Sequence, residues 1–149
     1  MLDFEHARAH MVDAHIARRG VSNRRVLDAM RKVPREKFVE EGLEEFAYED
    51  APLPIGHGQT ISQPFIVAHM IDAARLGPSD RVLEVGAGSG YAAAVMAEIA
   101  DEVFTIERHA ALGEAARRRL EALGFDNVEL RIGDGSKGWP EKAPFDAIL

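Results

Sequence analysis

Apolar residues follow two different rhythms along this chain. Up to about residue 60 they mark short helical faces cut by breakers. Phe4, Met11, Val12 and Ile16 form a loose stripe behind Asp3, a residue suited to cap a helix, and Gly20 closes that helix. Val26, Leu27 and Met30 share the face of a second helix that Ser22 or Asn23 can cap. Pro34 ends it and opens a short turn through Phe38 and Val39. Residues 47–64, AYEDAPLPIGHGQTISQP, break the rhythm with prolines, glycines and polar residues and read as a long ordered loop or a linker. Leu53, Ile55 and Ile61 are apolar anchors that favour order. Ser62 or Gln63 can cap the next helix, whose first turn accepts Pro64. Phe65, Ile66, Ala68, Met70, Ile71 and Ala74 are its expected buried side, and Gly77-Pro78 ends it.

Beyond that point short apolar runs alternate with helical patterns. Strands are expected at Arg81 to Val85, Glu102 to Ile106, Val128 to Ile132 and Phe145 to Leu149. Helices are expected at Ser89 to Ala100 and at Ala110 to Leu123, the latter stopped by Gly124. Strands separated by helices call for a parallel α/β sheet with right-handed crossovers, and strands this apolar fit a sheet covered on both faces. The chain divides into residues 1–63, a helical cap with a loop, and residues 64–149, a Rossmann-like segment.

Composition narrows the chemistry. The 149 residues carry 18 Lys and Arg against 25 Asp and Glu, a net charge of −7, which disfavours a non-specific nucleic-acid grip. Arg18, Arg19, Arg24 and Arg25 form a small basic cluster that reads as a solvated helix end. The absence of cysteine excludes disulfides, a thiol nucleophile and Cys-ligated zinc. The offsets among His6, His10 and His15 do not place all three on one helical face, and no metal site is expected. MLDFEHARAH has no apolar core typical of a signal peptide, and AAAVMAEIA is too short to cross a membrane, so a cytoplasmic location is expected.

The sharpest local feature is VLEVGAGSGY, residues 82–91, in which Gly86, Gly88 and Gly90 join a strand to a helix. Glycine allows a tight turn and a close ligand approach, and a helix start offers free amides. The GxGxG spacing differs from the GxGxxG of dinucleotide sites and suits a nucleoside joined to an amino acid better than a diphosphate. Glu107 ends the second strand 21 residues beyond Gly86 and can accept hydrogen bonds from ribose hydroxyls. Asp134 ends the third strand, where it can accept an adenine amino proton beside Gly135 or simply form an Asp-Gly turn. Glu84 within the first strand needs a partner if buried: a cationic cofactor group, nearby amides, or a structural cation such as Arg81. Three neighbouring strand ends thus converge on one adenosine, a pattern that favours S-adenosylmethionine over NAD.

The chain resembles the protein-L-isoaspartate (D-aspartate) O-methyltransferase family. The resemblance is carried by VPREKFV at 33–39, YEDAPLPIGHGQTISQP at 48–64, VLEVGAGSGYAAAV at 82–95 and NVELRIGDGSKGWPEKAPFDAI at 127–148. The glycine turn is common to many methyltransferases, whereas LPIGHGQTISQP is far more particular to this family. The resemblance implies a Rossmann-like class I methyltransferase fold, with the third, second, first and fourth strands side by side and later strands missing from this sequence. The fourth strand would then be an open edge, free for self-association or for a complementing segment.

It also implies methyl transfer from S-adenosyl-L-methionine, leaving S-adenosyl-L-homocysteine, to the α-carboxylate of L-isoaspartyl residues and in some members D-aspartyl residues. The resulting ester cyclises to a succinimide that can reopen as normal aspartate, so the expected partners are damaged peptides and proteins. Carried over by motif, Ser62 is the active-site serine, and Gln59, Thr60 and Ile61 line the cofactor. Gly86, Gly88 and Gly90 form the cofactor turn, Glu107 holds ribose, and Asp134 with Gly135 flanks adenine. No G-x-S-x-G elbow surrounds Ser62, so it reads as an orienting donor to the acceptor carboxylate rather than an acyl nucleophile. His57 reads as a loop histidine or a substrate contact, and Trp139 as a packing anchor under a strand connection. Two other readings share these cofactor residues: a tailoring enzyme for a dedicated peptide, and a catalytically weak cofactor-binding module.

Overall fold

The computed structural model describes residues 2–149. Asp3 caps α1 (Phe4–His10) by accepting the His6 amide at 3.0 Å. The single helix expected through Ile16 instead widens after His10 into a π turn, Met11–Ile16, followed by a tight 3₁₀ turn, Ala17–Arg19, that Gly20 closes. The wider turn brings Met11, Val12 and Ile16 onto one side, all three fully buried, where a regular α pitch would splay them. Asn23 caps α2 (Arg24–Lys32), which buries Val26, Ala29 and Met30. Two short turns follow, Arg35–Lys37 and Glu44–Phe46.

The proline- and glycine-rich segment is neither a plain loop nor a linker. It forms an antiparallel hairpin of β1 (Leu53–Gly56) and β2 (Gln59–Ile61). Gly56 pairs with Gln59, leaving His57 and Gly58 at the tip with φ of 54° and 69°. Positive φ at both tip residues matches the twist that a two-residue hairpin requires. The apolar anchors act as expected at the core, with Ile55 and Ile61 at 4% and 3% exposure.

Pro64 opens α3 (Pro64–Ala74), and Gln63 occupies the capping position with no side-chain cap bond. The buried stripe is Pro64, Val67, Ala68 and Ile71. Ile66 and Met70, expected inside, are 41% and 49% exposed. Being four residues apart, they share a second face that turns away from the core.

The remaining elements are β3 (Arg81–Val85), α4 (Tyr91–Ala97), β4 (Glu102–Glu107), α5 (Ala110–Ala122), β5 (Val128–Ile132) and β6 (Ala147–Ile148). The helix after the glycine turn, expected from Ser89 to Ala100, starts two residues later because Gly90, at φ 93°, is its non-helical cap, and it ends three residues earlier, with Glu98 as its C-terminal cap. The sheet runs β5-β4-β3-β6, parallel throughout, so the third, second, first and fourth strands of the alternation lie side by side as expected.

Alternate strand residues point to opposite faces of the sheet. Val82 and Val103 join a large cluster with α2, α3 and α4, which also takes in Met11, Ile16, Phe38 and Ile55. Leu83, Phe104 and Ile106 pack on the other face under Trp139, with Phe145 beside them. Trp139 meets Phe104 edge-on at 5.6 Å and lies under the Arg131 guanidinium, a packing anchor as expected. Among the described residues no helix is long and apolar enough to cross a membrane.

Candidate functional site

Chain reversal at the carboxyl end of β3 builds the first wall. Gly86, Gly88 and Gly90 all take positive φ, a conformation costly for residues with a Cβ. The Gly86 and Ala87 amides donate to the Ile106 carbonyl at 2.8 and 3.0 Å, and the Gly88 amide donates to Glu107 Oε1 at 2.9 Å. The end of β4 thus engages three amides of the turn that precedes α4, and the first amide of the helix itself, on Tyr91, donates to Ser89 Oγ at 3.2 Å. The Gly86, Ala87 and Gly88 amides are therefore not available to a ligand. Gly90 serves packing: a Cβ there would stand 3.3 Å from the Ala116 Cβ on α5.

The acids occupy three different environments. Glu107 is 5% exposed, and its second oxygen accepts the His109 amide at 2.9 Å. Two backbone donors thus fix its carboxylate, while each oxygen retains a further lone pair for a ligand hydroxyl. Glu84 is 7% exposed, and among the described residues no cation pairs with it. Its one side-chain donor is the Thr105 hydroxyl at 2.6 Å, while Arg81 pairs with Glu102 instead. Burial pushes the Glu84 carboxyl up to about 7, opposed by the Thr105 bond and reinforced by the nearby Glu107 charge. Asp134 is exposed and caps the turn Gly135–Lys137, accepting the Ser136 amide at 2.9 Å and hydroxyl at 2.7 Å. These bonds hold its carboxyl below the ordinary range.

The hairpin and the start of α3 supply the second wall. Thr60, Ile61 and Ser62 line a cavity of about 170 Å³ together with Glu84, Gly86 and Gly88. A second cavity of about 360 Å³ is lined by Gln59, Glu107, His109 and Gly135. Val85 and Gly86 border both, so the two form adjoining parts of one groove over the carboxyl edge of the sheet. Of the site candidates singled out from sequence, Gly90, Asp134 and His57 line neither part. A Cβ at Gly135 would overlap Val85 Cγ1, so glycine there is required by the strand-end side chain itself. The hairpin tip leans over the second cavity, with the His57 ring 5.4 Å from that of His109. Ser62 is exposed at the first cavity and does not act as the helix cap.

Sequence reasoning missed several contributors. Tyr91 lines the first cavity, is 1% exposed, and has the buried Arg35 guanidinium against it. Its signal was its place directly after GxGxG. Met70 lines the same cavity from the exposed face of α3, which accounts for an apolar side chain outside the core. Thr105, the partner of Glu84, lies in the neighbouring strand register and carries no motif of its own.

The chain was compared with known proteins. The family model described as protein-L-isoaspartate(D-aspartate) O-methyltransferase matches residues 6–149. A protein-L-isoaspartate O-methyltransferase of Brucella anthropi is 57% identical over 149 residues, covering 100% of this chain and 68% of the relative. One of Methylorubrum extorquens is 65% identical over 147 residues, covering 99% of this chain and 64% of the relative. The chain thus spans about two thirds of the length of these curated relatives. A crystal structure of a putative protein-L-isoaspartate O-methyltransferase from Plasmodium falciparum, in complex with S-adenosyl-L-homocysteine, superposes with a TM-score of 0.74. It is 27% identical, and the match covers 95% of this chain and 71% of that one. The likeness extends through the N-terminal helices and hairpin as well as the parallel sheet.

Proposed function

This chain belongs to the protein-L-isoaspartate(D-aspartate) O-methyltransferase family, and from that premise we propose that it methylates the α-carboxylate of L-isoaspartyl residues in peptides, using S-adenosylmethionine, as a step in protein repair. The observation that carries this reading is a juxtaposition. Ser62 and Thr60 share one cavity with the glycine turn and Glu84, and that cavity adjoins the one where Glu107 sits.

The residues present fit such a cofactor. The Gly86, Ala87 and Gly88 amides are engaged internally and are not available to a phosphate. Glu84 is a buried carboxyl lacking a cationic partner, and a sulfonium or ammonium group entering its cavity would provide one. Glu107 would accept the ribose hydroxyls, and its two backbone bonds fix it in place beforehand. Gly135 would border the base while Asp134 shapes the turn behind it. Gln59, Thr60 and Ile61 would close the hairpin side. When bound, the cofactor supplies an electrophilic methyl carbon.

The chain's own task is placement. An α-carboxyl titrates near pH 3.5, so the acceptor is already an anion near neutrality and needs no general base. Ser62 Oγ would donate a hydrogen bond to one acceptor oxygen and leave the other to attack. Fixing acceptor and donor in line and excluding water lowers the barrier by several kcal/mol in well-oriented systems. The buried Ile61 and Ile55 seat the hairpin that carries this serine.

The test is incubation of the chain with labelled S-adenosylmethionine and paired peptides that differ only in an isoaspartyl or an ordinary aspartyl linkage. The proposal expects label in the isoaspartyl peptide alone, lost again on mild alkaline hydrolysis of the ester. Label in neither peptide, or equally in both, overturns it.

A further inference from the structure

Ser62 owes its position to a residue outside the groove. Arg35 lies in the turn after α2, is fully buried, and donates in two directions. Its Nε donates to the Ala47 carbonyl at 2.6 Å and its Nη2 to the Ser62 carbonyl at 2.9 Å. The guanidinium lies over the Tyr91 ring at 4.8 Å, and that ring meets Phe38 edge-on at 5.8 Å. Among the described residues no carboxylate pairs with Arg35; the polar group facing the rest of its guanidinium is the Tyr91 hydroxyl, within electrostatic reach though short of good hydrogen-bond geometry.

A buried guanidinium without a counter-charge is costly, and a purely packing position would be filled more favourably by an apolar side chain. Its contacts account for its presence. The Ser62 side chain stands exposed at the cavity, so the direction of its hydroxyl depends on how the backbone is held. The Arg35 bond to the Ser62 carbonyl fixes that backbone between β2 and α3, and the same planar group braces Tyr91 on the cavity's lining.

We propose that Arg35 is a positioning residue that orients Ser62 toward the acceptor carboxylate by clamping the Ser62 main chain against Ala47 and the Tyr91 ring. This role rests on the methyl-transfer reading given above. Arg35→Lys keeps the charge and stem but loses the planar fork that reaches both carbonyls. It should lower kcat with an isoaspartyl peptide about tenfold, while affinity for S-adenosylhomocysteine stays within about threefold. In a Ser62→Ala background the same change should lower kcat less than about twofold, because the residue it orients is gone.

Turnover within about twofold of the parent chain, or an equal loss in both backgrounds, overturns the proposal. A readout without catalysis separates its failure from failure of the methyl-transfer reading. Amide exchange at residues 60–63 should quicken about tenfold in Arg35→Lys, with β3 and β4 as protected as in the parent. Unchanged exchange at 60–63 overturns the clamp even if the parent transfers no methyl. Should the lysine variant not fold, Arg35→Gln is put through the same two measurements under the same criteria.

Discussion

On one side of the first cavity, Gly86, Ala87 and Gly88 all donate their amides to the end of β4. On the hairpin side, Thr60 stands exposed on a strand of three residues and Ser62 just beyond its end. The glycine side rests on a parallel ladder in which all five residues of β3 pair with β4. The hairpin pairs only with itself and is seated by Ile55, Ile61 and the distant Arg35. The wall that would hold the cofactor is therefore part of the core's own hydrogen bonding. The wall that would orient the acceptor is an attachment whose alignment depends on a few long-range contacts.

Substitutions at the two walls should separate accordingly. The largest effect is expected beneath the glycine side. Burial raises the Glu84 carboxyl from 4.5 to about 7, so between those values the folded chain keeps a proton that the unfolded chain has released. Stability should fall as pH rises through that window, by up to about 3 kcal/mol, and stay at the lower level above it. Glu84→Gln should remove most of this slope in urea titrations from pH 4 to 8; an unchanged slope would contradict the assignment to Glu84. Glu107→Ala comes next, since it leaves the Gly88 and His109 amides unpaired and removes the expected ribose acceptor. A loss of about thirtyfold in S-adenosylhomocysteine affinity is expected by calorimetry, corresponding to about 2 kcal/mol.

The hairpin side should respond in turnover instead. Ser62→Ala is expected to lower kcat about tenfold with cofactor affinity unchanged, as for a single lost hydrogen bond to a charged group. Equal losses in kcat and in affinity would erase the distinction between the walls. The smallest effect belongs to the tip. His57 holds a positive φ that glycine adopts freely, so His57→Gly should stabilise the fold by about 0.5–1 kcal/mol, offset by loss of its contact with His109. A raised or unchanged thermal midpoint fits this balance, and a fall of several degrees would show that the ring contact outweighs the strain.

The same division governs what could be read from sequence. β3, β4 and β5 were legible to within a residue because each is a short apolar run bounded by turn residues; their parallel arrangement followed from the alternation with helices, whereas their order was implied only by the family resemblance. The hairpin was not legible because Pro54 and three- to four-residue strands give no period to count, although His57-Gly58 between two short apolar stretches was a usable turn signal. In the site, Glu107 and Gly86 were found from position relative to a strand. Tyr91 and Thr105 were missed because their significance lies in a contact with the distant Arg35 and a cross-strand bond. Ile66 and Met70 were misjudged because hydrophobicity alone does not tell a core face from an exposed one, which at Met70 borders the cavity.

The internally satisfied glycine turn has one more consequence. Adenine nucleotides such as ATP share the adenosine moiety, and Glu107 alone would not tell them apart. The Gly86, Ala87 and Gly88 N–H groups are already committed and cannot replace the lost water of a triphosphate tail, and the buried Glu84 carboxyl offers such a tail no counter-charge. Discrimination against competing nucleotides would thus arise from withheld hospitality at the turn, leaving the groove open to a ligand whose tail is not anionic phosphate.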